Sequence, residues 1–145
     1  MLLQVDDLYV NYGETPALKG VSLELSEGTV VALIGANGAG KTTTLRTISG
    51  LKTPKTGAVI FKDEDITGVP PHKIVAKGIG HVPEGRRLFP QMTVIENLLM
   101  GAYLRKNSEA QGDLQMIYEH FPVLLERRTQ LGGSLSGGEQ QMLAM

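Results

Sequence analysis

The chain has 145 residues with 15 acidic and 14 basic side chains, a net charge of −1, so no electrostatic footprint for nucleic acid is present. It contains no cysteine, which excludes disulfides and thiolate metal sites. Its length suffices for one core, and no apolar run approaches the roughly 20 residues that span a bilayer, so any membrane connection is expected to run through a partner.

Alternating apolar and polar residues predict strands over 2–10 and 17–25, separated by Asn11-Tyr12-Gly13 and Pro16, as an antiparallel appendage. The β-branched run Thr29-Val30-Val31-Ala32-Leu33-Ile34 lies between glycines and predicts a buried strand. It leads directly into Gly35-Ala36-Asn37-Gly38-Ala39-Gly40-Lys41-Thr42-Thr43, with a helix expected from about Lys41. Next come a strand over 57–61 with a turn at Asp63-Glu64-Asp65, a helix over 71–77 and a short second core strand over 79–82. After the Pro83-Glu84-Gly85 break, Thr93-Val94-Ile95-Glu96 resembles a capping box. Val94, Ile95, Leu98, Leu99 and Ala102 mark one helical face. Further helices are expected over 109–121, ended by Pro122, and over 123–128.

This order reads as an α/β fold in four parts: 1–28 mainly antiparallel β, 29–86 a phosphate-loop core with a β-hairpin, 87–135 a helical insert, and 136–145 the start of a final helix. A parallel sheet would need more strands than the sequence offers. The C-terminal part of that core is therefore expected to be missing.

The glycine-rich segment carries chemistry in its residue types. Gly35, Gly38 and Gly40 permit positive φ and close backbone approach, so successive N–H groups can curl around phosphate oxygens at a helix start. The helix dipole adds to that field. Lys41 can reach the β- and γ-phosphates and the Thr42 hydroxyl can bind Mg²⁺, with Thr43 as an alternative hydroxyl for phosphate.

A second phosphate site is expected at Ser136-Gly137-Gly138-Glu139, an S-x-x-E helix start whose glycines cost helix stability unless a ligand must approach the backbone. One chain has no obvious use for two such sites on one nucleotide. Asp65-Ile66-Thr67-Gly68 matches a GTPase D-x-x-G, but no N-K-x-D follows. The acids at 63–65 read as a solvated hairpin turn, and His72, His81 and His120 lack a ligand set.

The glycine loop together with Leu135-Ser136-Gly137-Gly138-Glu139-Gln140 is similar over the whole chain to the ATP-binding cassette family of P-loop NTPases. The resemblance implies two cassettes packed head to tail about a two-fold axis, each ATP lying between one Walker A loop and the opposing Ser136. It places Tyr12 where an aromatic stacks on adenine, and Glu84 where most members carry a glutamine that contacts Mg²⁺ and senses a transmembrane partner. The Glu84-Gly85-Arg86-Arg87 form resembles the ATPase subunit of branched-chain amino-acid importers; Arg86 and Arg87 read equally well as a solvated pair.

On this resemblance the cofactors are ATP and Mg²⁺. The partners are a like or paralogous cassette, transmembrane permease subunits and, indirectly, a solute-binding protein, with no nucleic acid. The location is the cytoplasmic face of the plasma membrane. Lys41, Glu84 and Ser136 would share in catalysis. The Walker B acid, the catalytic glutamate and the switch histidine are not in this sequence, so the chain alone is expected to be inactive. Two alternatives are a soluble cassette ATPase acting on nucleic acid or ribosomes, and a fragment that only binds nucleotide.

Overall fold

The computed structural model describes residues 1–85 and 87–145. They form two compact units, Met1–His81 and Val82–Met145.

The first unit is built on a four-stranded antiparallel sheet in the order β2-β1-β3-β4. β1 (Leu3–Tyr12) and β2 (Thr15–Leu25) form a hairpin, and β1 pairs on its other edge with β3 (Thr56–Phe61). Leu3, Val5, Leu8 and Val10 all face the core, although a strict period of two cannot bury both Val5 and Leu8. The register shift between Val5 and Leu8, with Asp7 at φ 46°, is a bulge that resets the alternation. β3 turns into the short β4 (Glu64–Asp65) through Lys62 and Asp63, both at positive φ, the backbone of a two-residue hairpin loop. The acids at 63–65 are exposed in this hairpin.

α1 (Lys41–Ile48) packs its polar face inward without orphaning a donor. Thr44, Thr47 and Ser49 are buried, and each hydroxyl donates to the carbonyl four residues earlier at 2.8–3.0 Å. α2 (Pro71–Ala76) has proline in its first turn, where the missing N–H has no intrahelical acceptor in any case.

Two expected strands are not formed. Residues 29–34 lie outside every strand, with Val30 97% and Ile34 93% exposed. A buried parallel strand needs neighbours that satisfy both backbone edges, and no described strand pairs with this run. Residues 79–82 also carry no ladder. Ile79 packs against the core and its N–H donates to the Ile74 carbonyl at 3.4 Å, while the His81 ring ties the segment to the end of α1: Nδ1 lies 2.7 Å from Ser49 Oγ.

The second unit is helical: α3 (Val94–Gly101), α4 (Asn107–His120), α5 (Pro122–Glu126), a short 3-10 helix at Gly132–Ser134 and α6 (Gly137–Ala144). α4 starts two residues before the expected position and α5 starts on Pro122 itself. Thr93 and Glu96 form the anticipated capping box. Val94, Leu124, Leu135 and Leu143 make the core, which ties α3, α5 and α6 together. Among the described residues no helix is long and apolar enough to cross a membrane.

Candidate functional site

In the first unit the glycine loop enters α1 as the sequence suggests. Gly38 and Gly40 hold φ of 85° and 92°, so the chain turns sharply into the helix. A Cβ at Gly40 would lie 2.4 Å from Leu18 Cδ2 and 3.0 Å from the Ala17 carbonyl oxygen. Gly35 is not in the left-handed region; there the close approach is to the Ala39 Cβ, 3.0 Å from an added Cβ.

Gly40 is the N-cap and offers no side chain to the first N–H groups of α1, which by helix geometry have no intrahelical acceptor. The Lys41 ammonium donates to the Gly35 and Ala36 carbonyls at 2.7 and 2.8 Å. The rest of the loop, Ala36, Asn37, Gly38 and Ala39, is exposed. Uncapped N–H groups, a cation and positive-φ glycines at one helix end fit a polyphosphate.

The two threonines separate. Thr42 is exposed and Thr43 is buried. Thr43 meets Tyr12, whose phenol is held below its ordinary pKa first by hydrogen bonding with the Thr43 side chain and then by Arg46. Tyr12 ends β1, 44% exposed, and its ring carries the Lys52 ammonium at 4.5 Å from the centroid. The structure therefore brings Tyr12 to the first turn of α1. Beside it opens a largely polar cleft of about 580 Å³ lined by Asn11, Gly13, Glu14, Thr53, Pro54 and Lys55.

In the second unit Ser136 is the N-cap of α6, and Ser136, Gly137 and Gly138 are exposed. Glu139 reaches back: Ser136 N donates to Glu139 Oε2 at 2.8 Å and Glu139 N donates to Ser136 Oγ at 3.4 Å. The Ser136 backbone N–H, then the Ser136 side chain, then the Arg127 charge hold the Glu139 carboxyl below its usual range. Glu84 is exposed in the turn at 84–85, with Gly85 at φ 81°. Arg86 lies outside the described residues, and Arg87 is exposed at φ 38°.

Sequence reading missed several residues that hold these parts. Asn97 fastens the segment before α3: its Nδ2 donates to the carbonyls of Phe89, Met92 and Thr93, while Phe89 N donates to its Oδ1 at 2.8 Å. Val94 N and Gly132 N bond to Gln130 O and Met92 O at 2.9 and 2.8 Å, joining the start of α3 to the stretch before α6. A lone Asn inside a helix pattern gives no sequence signal for this. Among the described residues there is no group of three or more His, Cys, Asp or Glu placed to hold a metal ion.

The ABC transporter family model matches residues 18–145, and the chain belongs to that family. It is 44% identical, over 99% of its length, to the high-affinity branched-chain amino acid transport ATP-binding protein BraG of Pseudomonas aeruginosa, of which it covers 62%. It is 35% identical to the lipoprotein-releasing system ATP-binding protein LolD of Cytophaga hutchinsonii, of which it covers 68%. A solved ATP-binding subunit of an ABC transporter superposes with a TM-score of 0.87 at 29% identity, covering 99% of this chain and 60% of that one. The chain thus spans about three fifths of the first of these relatives and of that solved subunit, and the P-loop NTPase cassette is its fold class.

Proposed function

We propose that this chain is the nucleotide-binding part of an ATP-driven importer subunit for branched-chain amino acids. The carrying observation is the head of α1, where the Lys41 ammonium, the Gly38 and Gly40 backbone and the exposed Thr42 hydroxyl share one uncapped helix start. Tyr12 would stack on the base and Lys41 would meet the phosphates. Thr42 would offer a hydroxyl oxygen to Mg²⁺, the kind of hard donor that ion prefers. When bound, Mg²⁺ supplies Lewis-acid polarisation of the phosphoryl oxygens. Ser136, Gly137, Gly138 and Glu139 would face the nucleotide of a second, like or paralogous cassette, and hydrolysis in that pair would drive permease subunits, with a solute-binding protein delivering the solute. Such a subunit is peripheral on the cytoplasmic face of the membrane.

The solute class rests on the relatives: 44% identity to a branched-chain amino acid transport protein exceeds the 35% to a lipoprotein-releasing one. Disrupting the coding sequence and measuring uptake of radiolabelled leucine tests it. Loss of leucine uptake with unrelated solutes unaffected is expected; unchanged leucine uptake with loss of another solute overturns the amino-acid assignment while leaving the nucleotide site intact.

A further inference from the structure

Two helices of the second unit start with the same capping arrangement and differ by one cation. At α3, Thr93 N and Thr93 Oγ1 both donate to Glu96 Oε2 at 2.7 Å, so the threonine proton is committed to the carboxylate. At α6, Ser136 N donates to Glu139 Oε2 and Glu139 N donates to Ser136 Oγ, the same reciprocal pair. The Ser136 hydroxyl, too, helps to hold the Glu139 carboxyl below its usual range. What α6 has in addition is Arg127, whose Nε lies 3.2 Å from Glu139 Oε1, with the Glu139 side chain 13% exposed.

The difference matters because of what the α6 N-terminus is proposed to receive. A capping carboxylate normally complements the positive helix end, yet beside an incoming phosphate it is a like charge and repels. Arg127 offsets that charge on the oxygen that the cap does not use. It is delivered from a packed element: Arg127 closes α5, and Leu124 one turn earlier is fully buried.

We infer that Arg127 is a positioning residue for the phosphate site at the start of α6: by pairing with Glu139 Oε1 it lets Glu139 cap Ser136 without repelling an incoming anion. This rests on the proposed reading of Ser136, Gly137 and Gly138 as a phosphate site.

The test is an amide NMR titration of the 145-residue chain with inorganic phosphate, reading Gly137 and Gly138. Arg127→Gln weakens the response about two- to fivefold, the scale of an exposed charge pair, and Arg127→Lys keeps most of it. The double variant Arg127→Gln with Glu139→Gln returns to wild-type affinity, because no charge is left to neutralise. A merely structural ion pair gives the opposite, a double variant as weak as Arg127→Gln. That result, or wild-type affinity in Arg127→Gln, overturns the inference alone. If Gly137 and Gly138 fail to respond in the wild-type chain, the phosphate reading of α6 falls first and takes the role of Arg127 with it.

Discussion

The ammonium of Lys41 is bonded to the carbonyl of Gly35 at 2.7 Å, and to that of Ala36 at 2.8 Å, so the cation at the head of α1 is folded back over its own loop. Phosphate oxygens would compete with these carbonyls for the same three protons.

Lys41→Ala is therefore expected to abolish measurable MgATP binding by calorimetry. Its thermal midpoint should barely move, since exposed hydrogen bonds contribute about 1 kcal/mol net or less. Lys41→Arg does not restore binding, because a planar guanidinium does not replace a point ammonium. Wild-type affinity in either variant refutes the role.

Tyr12→Ala is expected to weaken nucleotide binding by about 1–3 kcal/mol, the range for base–aromatic stacking, and equally for ATP and GTP, because stacking reads a π-face. Tyr12→Phe keeps most of the affinity while releasing Thr43 and Arg46, the groups that depress the phenol pKa. Unchanged affinity for both nucleotides in Tyr12→Ala would make it a structural tyrosine.

Gly40→Ala should destabilise the first unit by about 1–3 kcal/mol, the cost of a side chain in a disfavoured backbone region, with the contact to Leu18 adding to it. Gly38→Ala, at φ 85° but in open space, should cost less. Urea denaturation of the two variants measures the order, and equal midpoints would contradict it.

The cap of α6 gives a pH dependence with a definite sign. Glu139 is held below its ordinary value, first by the Ser136 N–H, so its contribution is complete above the unfolded carboxyl pKa of about 4.3. It is lost as pH falls through the lower, folded value. Amide protection at Gln140, corrected for intrinsic exchange, should drop in that acid range, and Glu139→Gln should flatten the profile. Protection that falls equally in both forms would assign the acid loss elsewhere. Glu96, depressed through Thr93, predicts the same behaviour for α3.

Ile34→Ser should leave stability within about 0.5 kcal/mol, as surface substitutions do, because Ile34 is 93% exposed. Leu8→Ala, at a fully buried site, should cost about 2–5 kcal/mol. A large loss in Ile34→Ser, followed by thermal denaturation, would show that residues 29–34 are buried in solution.

Local patterns that carry their own partners were legible in the sequence. The β1–β2 hairpin, the loop into α1 and the Thr93 and Ser136 capping boxes each close within a few residues, so spacing alone specifies them. Val30 and Ile34 misled because hydrophobicity states what a strand would bury, not whether hydrogen-bonding neighbours are present. Ile79 to Val82 misled for the same reason, since its tie to α1 is a ring-to-hydroxyl bond across 32 positions. Arg127 was invisible because an arginine after a helix looks solvated until Glu139 is placed beside it.

β1 is laddered on both edges, and Tyr12 stands at its end, whereas residues 29–39 have no ladder at all. A nucleotide arriving as proposed meets a platform paired on both edges for its base and a loop without strand partners for its phosphates. Affinity at the two ends then has different sources: at the base contact area, at the phosphates the exchange of the Lys41 bonds to its own carbonyls for bonds to phosphate oxygens.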